Sequence, residues 1–484
     1  MNETLARLKF TELEQWLSSQ QSAQSSLETV EGALEINGRE LLRLLLQEHI
    51  NGRSMADFGN AIVVRNEHGK SIRHSCKRLD TRRVVTTVGS IDITRIGYYS
   101  NKSKALHPID QQLQLPCRCY SYEVQRRTVK MAIQGPFDEA VEMVQENMGI
   151  DLPKRSAEEL LVDASIDFAE FYRNRIIEPK SEREYPIIVA AVDCKGIPMV
   201  KAELIDTTTG KVRRGKGQKA QKKKMATVAA VFTQQRYIRT PQEVIDSLFR
   251  TEQETKHSVH KPRCNNKRVW ASLTSGKDIF IGDVVKEVMH RNQNNDKVLV
   301  VVTDGERALQ QKIGRVMKNA TLILDLVHAL EKIWKAAYVF HEEGSIDAQL
   351  FVKDRALAIL NGKVGQVVKG LRAMVTKRKL TGSKRDVLIG VSNYLYRNRS
   401  RMKYHLYLQN GFPIASGSVE GACKNLIKDR MERSGMRWTQ RTAEAMVKMR
   451  ATYLSGDFDD YWKFHIDQEQ KRLYSVKWFP VDVK

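Results

Sequence analysis

Two apolar segments that each end in an aspartate place the strongest constraint on the fold. PIIVAAVD (186–193) and KVLVVVTD (297–304) are rich in β-branched residues and finish with Asp193 and Asp304. A continuous apolar run of this length is typical of a strand that is buried on both faces of a sheet. Because open α/β sheets place their sites at the carboxyl ends of strands, we expect both carboxylates at one sheet edge.

The segments around these two strands predict a mixed sheet that is covered by helices. Further strands are predicted at 197–205, 225–232 and 321–328, and helices near 277–291 and 306–317. The resulting order of three strands, helix, strand, helix, strand is that of a ribonuclease H-like domain. We therefore expect an α+β multidomain chain with a ribonuclease H-like core that is interrupted by a helical insertion.

Changes in periodicity divide the chain into six regions. The helices of the first region either pack on their own domain or form a subunit contact. The six regions are an N-terminal helical region (1–60), a small β-hairpin domain (61–120), a helical, helix-turn-helix-like DNA-binding domain (121–183), the first part of the catalytic core (184–328), the helical insertion (329–415), and the completion of the core with a C-terminal tail (416–484).

Within the N-terminal half, alternation around Gly89-Ser90 predicts a β-hairpin over 82–99. Apolar periodicity predicts helices over 122–132, 136–147 and 156–176, a spacing compatible with a helix-turn-helix. Small helical domains of other functions share this pattern. Four residues could be zinc ligands, but their one-residue gaps do not match common zinc knuckles, so we do not expect zinc. These four are His74, Cys76, Cys117 and Cys119.

Positive charge is concentrated in particular segments. The chain has a net charge of +23, yet residues 1–60 hold five Lys and Arg against nine Asp and Glu. Residues 211–224 contain eight basic residues and no acid, and residues 397–441 contain ten against three. Cations clustered so tightly repel one another unless an anion is bound, which indicates a phosphate backbone; a solvated surface is the alternative. The predicted DNA contacts in the first segment are Arg213, Arg214, Lys216, Lys219, Lys222, Lys223 and Lys224.

Glu420 is the third acid that we select. Ser418 can cap a helix over 418–433, which puts Glu420 in its first turn. Lys424 and Lys428 follow at intervals of four, on the same helical face as Glu420. A carboxylate beside lysines suits a site where the carboxylate binds a cation and the lysines bind phosphates.

Asp193, Asp304 and Glu420 together predict a metal site for phosphodiester chemistry. Two Mg²⁺ ions roughly 3.5–4 Å apart activate the attacking oxygen and stabilise the leaving oxygen. Mg²⁺ prefers carboxylate oxygens, and Mn²⁺ can substitute for it. Asp325 is the main rival as a ligand, and His328 either orients a phosphate or forms a hydrogen bond in the core.

Several collinear segments carry a family resemblance: 195–199, 215–232, 239–249, 267–273, 301–310, 324–343, 411–438 and 456–462. The most diagnostic is GFPIASGSVEGACKNLIKDRMERSGMRW (411–438). On these residues, which cover most of about 185–470, the chain resembles DDE transposases of the ISKra type, a group of bacterial insertion-sequence enzymes.

The resemblance implies that Asp193, Asp304 and Glu420 form the acidic triad, and that Asp325 and His328 match an Asp-x-x-His signature. It implies cleavage of the element's ends by water, followed by attack of the freed 3′-hydroxyl on target DNA. The partners expected are double-stranded DNA, as terminal inverted repeats and as target, and further copies of the chain in a homodimer or higher oligomer. Arg437 and Trp438 match an Arg-Trp pair of the pattern; Trp438 either stacks on an unpaired base or packs in the core.

Composition excludes other classes. The mean hydropathy is −0.45 and no window approaches the ~18 apolar residues of a membrane span, so no membrane association is expected. Few cysteines and an N-terminus without a signal-peptide pattern indicate a cytoplasmic protein, and the resemblance to insertion-sequence enzymes implies a bacterial, nucleoid-associated one. Two alternatives stay open: a ribonuclease H-like DNA nuclease without strand transfer, and a non-catalytic DNA-binding protein.

Overall fold

The computed structural model describes residues 4–53, 56–65, 71–101, 103–175, 185–200, 222–249, 264–415 and 417–480, with 418–420 and 434 described by their backbone alone. This part of the chain is α+β, with one mixed sheet and two antiparallel sheets. The chain forms two compact units, Met1–Arg173 with Phe458–Lys484, and Asn174–Asp457. The sequence groups 416–484 with the catalytic core, whereas its last helix and strand belong to the first unit.

The elements are numbered in chain order. They are α1 (Leu5–Leu17), α2 (Gln20–Ala23), α3 (Leu27–Asn51), β1 (Ile62–Arg65), β2 (Ser71–His74), β3 (Cys76–Thr86), β4 (Gly89–Ser100), β5 (Ser103–Leu106), α4 (Pro108–Gln112), α5 (Tyr122–Ala132), α6 (Phe137–Met148), α7 (Lys154–Ala164), α8 (Phe168–Asn174), β6 (Ile187–Pro198), β7 (Lys223–Gln234), α9 (Pro241–Leu248), β8 (Asn265–Ser272), α10 (Lys277–Arg291), β9 (Val298–Thr303), α11 (Arg307–Val316), β10 (Thr321–Leu324), α12 (Leu326–Ala337), α13 (Ile346–Leu360), α14 (Val364–Lys377), α15 (Gly382–Asn398), α16 (Tyr404–Gln409), α17 (Gly417–Ala422), α18 (Asp429–Met431), α19 (Gln440–Leu454), α20 (Phe458–Tyr474) and β11 (Lys477–Pro480).

In the first unit, β3 and β4 form the predicted hairpin. The pairing closes at Thr86 and Gly89, so the tight turn lies two residues before the predicted Gly89-Ser90 centre. Gly89 has a φ of +126°, a conformation that residues with a Cβ rarely adopt, and it opens β4 directly after the turn. The apolar side of this hairpin packs under Leu46 and Ile50 of α3.

The helices α5, α6 and α7 lie close to their predicted positions, but the third predicted helix is divided. α7 ends at Ala164, and α8 begins at Phe168 after a turn that contains Asp167. Asp167 is 2% exposed and forms hydrogen bonds with His465 and Arg472 of α20. These partners stabilise a turn that an apolar periodicity cannot indicate.

In the second unit, a five-stranded sheet has the order β10-β9-β6-β7-β8. β9 and β10 continue parallel to β6, whereas β7 pairs antiparallel with β6, and β8 antiparallel with β7. The predicted strand at 197–205 is wrong as a separate element, since Ile197 and Pro198 end β6 and residues 201–205 lie outside the described residues. The third antiparallel strand is β8, which the sequence reading missed.

The predicted insertion is helical, from α12 to α16, and it shares a hydrophobic core with the sheet. Val302 of β9, Ile333 of α12 and Leu395 of α15 are all fully buried in this core. The insertion is therefore packed on the sheet that carries Asp193 and Asp304. Among the described residues, no helix is long and apolar enough to cross a membrane.

Candidate active site

Asp193 and Asp304 lie at matching positions on neighbouring strands. The parallel pairing of β6 and β9 ends at Val192 and Thr303, and each aspartate is the next residue along the chain. The prediction that Asp193 ends its strand is wrong, because β6 continues to Pro198 by pairing with β7. Burial raises the pKa of Asp304 above its usual range, and the nearby negative charge of Asp193 raises it further. A carboxylate that lies beside a second carboxylate is suited to share a cation with it.

Both oxygens of the Asp193 carboxylate accept hydrogen bonds. The backbone N–H of Cys194 donates to Oδ1 at 2.6 Å, and the thiol of Cys423 lies 3.4 Å from Oδ2. Burial and the nearby Asp193 charge raise the pKa of Cys423, so its thiol stays protonated and can donate. The orientation of Asp193 is therefore set by two donors from different elements.

The turn after β9 positions Asp304. Its Oδ1 accepts a hydrogen bond from the backbone N–H of Glu306 at 2.9 Å, and the Tyr394 hydroxyl donates to its backbone carbonyl at 2.8 Å. Gly305 between them has a φ of +94°, and a Cβ there would lie 2.7 Å from the Tyr394 hydroxyl oxygen. Glycine is therefore required at this position, because a side chain would displace the tyrosine that holds Asp304.

Glu306 and Lys277 were missed by the sequence reading. Glu306 forms an ion pair with Lys277 of α10, and its Oε2 lies 3.9 Å from the Cys194 sulfur. The hydrogen bond between Lys277 and Glu306 raises the pKa of Lys277. The only sequence signal for Glu306 is its place two residues after Asp304, and Lys277 comes close through the fold alone.

Asp325 and His328 lie beside this pair. β10 pairs in parallel with β9, with Leu324 opposite Thr303, so Asp325 follows the third neighbouring strand in the same register. Its side chain is fully buried and caps α12 by accepting from the Val327 N–H at 2.7 Å. His328 lies 3.4 Å from Glu331, and its positive form would lower the pKa of Asp304.

Glu420 belongs to α17, and its side chain lies outside the described residues. The backbone nevertheless places this helix next to β6, because Cys423, three residues later, touches Asp193. The predicted single helix over 418–433 is wrong in detail, since 423–428 is π-helical. A π-helix has hydrogen bonds from i to i+5, so Lys424 and Lys428 do not keep the predicted alignment with Glu420.

The structure assigns the remaining predicted DNA contacts to different environments. Lys424, Lys428 and Arg437 are exposed, whereas Trp438 is 4% exposed and its indole N–H donates to the Met431 carbonyl at 3.0 Å. Trp438 also exchanges backbone hydrogen bonds with residues 198 and 200. Of the two alternatives for this tryptophan, the structure has the one in which it packs in the core.

Of the basic segment 211–224, the structure describes only residues 222–224. Lys222 is exposed, Lys223 pairs with Glu432 at 2.6 Å, and Lys224 donates to Gln440. The other predicted contacts of this segment lie outside the described residues, namely Arg213, Arg214, Lys216 and Lys219.

The residues considered for zinc are engaged differently. His74 is buried, with Nδ1 3.1 Å from the Tyr98 carbonyl oxygen and Nε2 2.8 Å from the Ser103 hydroxyl. Cys76, Cys117 and Cys119 are exposed free thiols. Over the described side chains, which do not include Glu420, no three His, Cys, Asp or Glu residues form a group that could hold a metal ion.

No family model matches the chain, and no curated protein has a significantly similar sequence.

Proposed function

We propose that this chain is a DNA transposase, which cleaves the ends of an insertion sequence and joins their 3′-hydroxyl groups to target DNA. The proposal rests on one observation above all. Asp193 and Asp304 directly follow the paired residues of two adjacent parallel strands in the same register, and the pKa of Asp304 is raised by burial and by Asp193. An acid whose pKa is shifted by burial and by a neighbouring charge, and which lies at a sheet edge, is a candidate for a functional site.

The arrangement of the sheet supports a ribonuclease H-like core. β6 is central, with antiparallel β7 and β8 on one side and parallel β9 and β10 on the other. Three strands, helix, strand, helix, strand follow one another in this unit, with β8 in place of the predicted strand at 197–205 and α9 added between β7 and β8. The helical insertion then separates β10 from α17, which carries Glu420, as the resemblance to ISKra-type transposases implies.

The donor set fits Mg²⁺, with Mn²⁺ as its substitute. Asp193 and Asp304 supply hard carboxylate oxygens, and their mutual repulsion is relieved by a divalent cation between them. We assign two metal ions to Asp193, Asp304 and Glu420, where they would supply the positive charge that phosphoryl transfer requires. Asp325 is used as a helix cap, which makes it a positioning residue for the end of β10 in this proposal.

Residues around the triad have separate roles. Lys424, Lys428 and Arg437 are exposed cations that would bind phosphates of the DNA near the cut. The Cys194 N–H and the Cys423 thiol hold the Asp193 carboxylate, and Tyr394 holds the backbone of Asp304. Because two ends of an element are joined to the target, we expect a homodimer or a higher oligomer on DNA.

The decisive experiment compares Asp193→Asn with the wild type on duplexes that carry the element's terminal repeats. We expect the variant to bind the ends with unchanged Kd and to lose cleavage in Mg²⁺. Asp296→Asn is the matched control, because Asp296 is an exposed acid of the same unit. Normal cleavage by Asp193→Asn would refute the assignment.

A second arm separates transposition from simple hydrolysis. Pre-cut ends with free 3′-hydroxyl groups are supplied together with a target plasmid, and joined products are measured. A transposase joins these ends, whereas a nuclease of the same fold does not. A non-catalytic DNA-binding protein would bind the ends and would neither cut nor join them.

A further inference from the structure

The second half of the helical insertion carries a dense positive charge. Residues 363–403, which include α14 and α15, hold twelve Lys and Arg against one acid, Asp386. Their net charge of +11 is close to half of the net +23 of the whole chain. Eleven of the twelve cations are exposed, and Arg401 is half-buried. The surface of this helical pair is therefore strongly basic.

Internal acids do not neutralise this surface. Asp386 lies 3.4 Å from its sequence neighbour Arg385, an exposed contact of little energetic weight. Within the described residues, no other ion pair involves residues 363–403. Like charges at this density repel each other in the free protein, and an external polyanion relieves that repulsion.

Three arginines lie around Asn393 and the exposed Tyr396. Arg372 donates to the Asn393 side-chain oxygen at 3.1 Å, Arg397 to the Asn393 carbonyl at 3.2 Å, and Arg399 to the Tyr396 carbonyl at 2.7 Å. The guanidinium carbons of Arg372 and Arg399 lie 5.5 and 4.0 Å from the centre of the Tyr396 ring. We call Arg372, Arg397 and Arg399 the arginine cluster.

The partners of the arginine cluster are uncharged, so each guanidinium keeps its full charge and further N–H donors. Arginine presents five donors in a planar fork, which matches the oxygens of a phosphate. Hydrogen bonds and ring contacts hold the three forks in place, so less side-chain entropy is lost when they bind. The cluster is thus preorganised for an anion with several phosphate groups.

The arginine cluster is connected to the candidate active site by a single helix. Tyr394, whose hydroxyl donates to the Asp304 carbonyl at 2.8 Å, lies on α15 between Asn393 and Tyr396. Because an α-helix with its side chains is about 10–12 Å wide, the cluster lies roughly one to two helix widths from Asp304. On duplex DNA, with a rise of about 3.4 Å per base pair, this is on the order of three to six base pairs.

We propose that the arginine cluster binds the phosphodiester backbone of duplex DNA a few base pairs from the position that is cut. The surface around it continues along α15, whose seventeen residues span about 25 Å, or about seven base pairs. The position relative to the cut rests on the proposed function, whereas the binding of duplex DNA does not. Such contacts fix the register of the duplex and carry no base sequence information.

The test measures DNA affinity in the full chain with Asp193→Asn and without divalent metal, so that cleavage plays no part. Arg372→Gln, Arg397→Gln and Arg399→Gln are combined, and binding of a fluorescent duplex is followed by anisotropy over a range of salt concentrations. Each lost phosphate contact removes about 0.9 from the slope of log affinity against log salt, so we expect the slope to fall by roughly 2–3.

The matched control combines Lys286→Gln, Arg315→Gln and Lys318→Gln, which remove the same charge from exposed positions of the same unit. We expect this control to change the slope by less than about one contact. Equal slopes for the two triple variants would overturn the proposal. The proposal would also be overturned if the triple arginine variant lost as much affinity for poly-glutamate or for single-stranded RNA as for the duplex.

The position of the contact is tested by crosslinking. Tyr396→Cys, at the centre of the cluster, is reacted with duplexes that carry a thiol on a single backbone phosphate at successive positions, and the crosslinks that the chain without this substitution forms through its own exposed cysteines are subtracted. Crosslinks concentrated a few base pairs from the cut support the proposal, and an even distribution along the duplex contradicts it. If Asp193→Asn cut normally, the proposed function would fail while the salt-dependence result would still decide the binding of DNA.

Discussion

Asp167 in the first unit and Asp304 in the second are aspartates at the ends of secondary-structure elements with opposite electrostatic environments. Burial alone would raise the pKa of Asp167, but hydrogen bonds from His465 and Arg472 lower it below its usual range. Burial also raises the pKa of Asp304, and there the next charge is Asp193, which raises it further. The fold pairs the Asp167 carboxylate with an arginine and a histidine, and leaves the Asp304 carboxylate beside a like charge.

This difference separates a structural role from a functional one. A buried acid with matched cations stabilises the native state, and its loss leaves unpaired charges. A partly buried acid beside another acid destabilises the native state until a ligand cation is present. Replacing Asp167 by Asn should therefore lower the stability, whereas replacing Asp304 by Asn should lower the activity.

The largest effect is expected for Asp304→Asn on activity. We expect cleavage to fall roughly 10²–10³-fold, since a charge that stabilises the transition state through the metal is removed. The free energy of unfolding without metal should stay the same or rise, because the repulsion with Asp193 is relieved. Cleavage assays and urea unfolding in EDTA measure both quantities. A marked loss of stability with retained cleavage would show that Asp304, like Asp167, has a structural role.

A smaller effect, on stability, is expected for Asp167→Asn. The free energy of unfolding should fall by about 2–3 kcal/mol, since Arg472 loses its counter-ion and His465 loses its carboxylate partner; the value is at the low end because Arg472 is partly exposed. Because the pKa of Asp167 is lowered, its contribution is present above the unfolded-state value of about 3.9 and is lost as the pH falls through the folded-state value.

The difference between the wild type and Asp167→Asn should therefore close at acid pH. Asp467→Asn, an exposed acid of α20 that pairs with Lys471, is the control and should change the stability by less than about 0.5 kcal/mol. Urea unfolding at several pH values measures the effect. A pH-independent difference would show that Asp167 stabilises the fold by packing alone.

The smallest effect is expected at Cys423. Cys423→Ala removes the thiol donor 3.4 Å from Asp193, and we expect cleavage to fall about fivefold, equivalent to about 1 kcal/mol. Cys423→Ser keeps a donor and should restore most of the rate, measured over a range of Mg²⁺ concentrations. Cys76→Ala, at an exposed cysteine, is the control. Equal losses for Ala and Ser would show that Cys423 acts through packing.

Much of the candidate site was accessible from sequence because its signals are local. The apolar runs before Asp193 and Asp304 predicted buried strands, and the helical character of 329–415 followed from periodicity. The charge of 363–403 was equally visible as residue counts, although the importance of that segment was not recognised. Its relation to the site depends on Tyr394, which reaches Asp304 from 90 residues away.

Pairings between distant segments could not be predicted in the same way. β8 joins the sheet although its sequence lacks a long apolar run, because β7 offers it a free edge. Trp438 is buried where its indole N–H donates to the Met431 carbonyl and its backbone forms hydrogen bonds with residues 198 and 200. The π-helical segment at 423–428 depends on its surroundings too, where Arg450 donates to the Asn425 carbonyl at 2.6 Å.

Local sequence was enough to predict most of the helices, the strands β6, β7, β9 and β10, the segments of concentrated positive charge, and the carboxylates that follow the two apolar runs. These properties depend on side chains a few residues apart, so periodicity and composition express them directly. The tertiary structure was needed to show that Asp193 and Asp304 are neighbours, that Asp167 contacts residues about 300 positions away, and that Arg372 of α14 lies beside the α15 helix that carries Tyr394. Such contacts result from strand register and core packing, which depend on the whole chain at once.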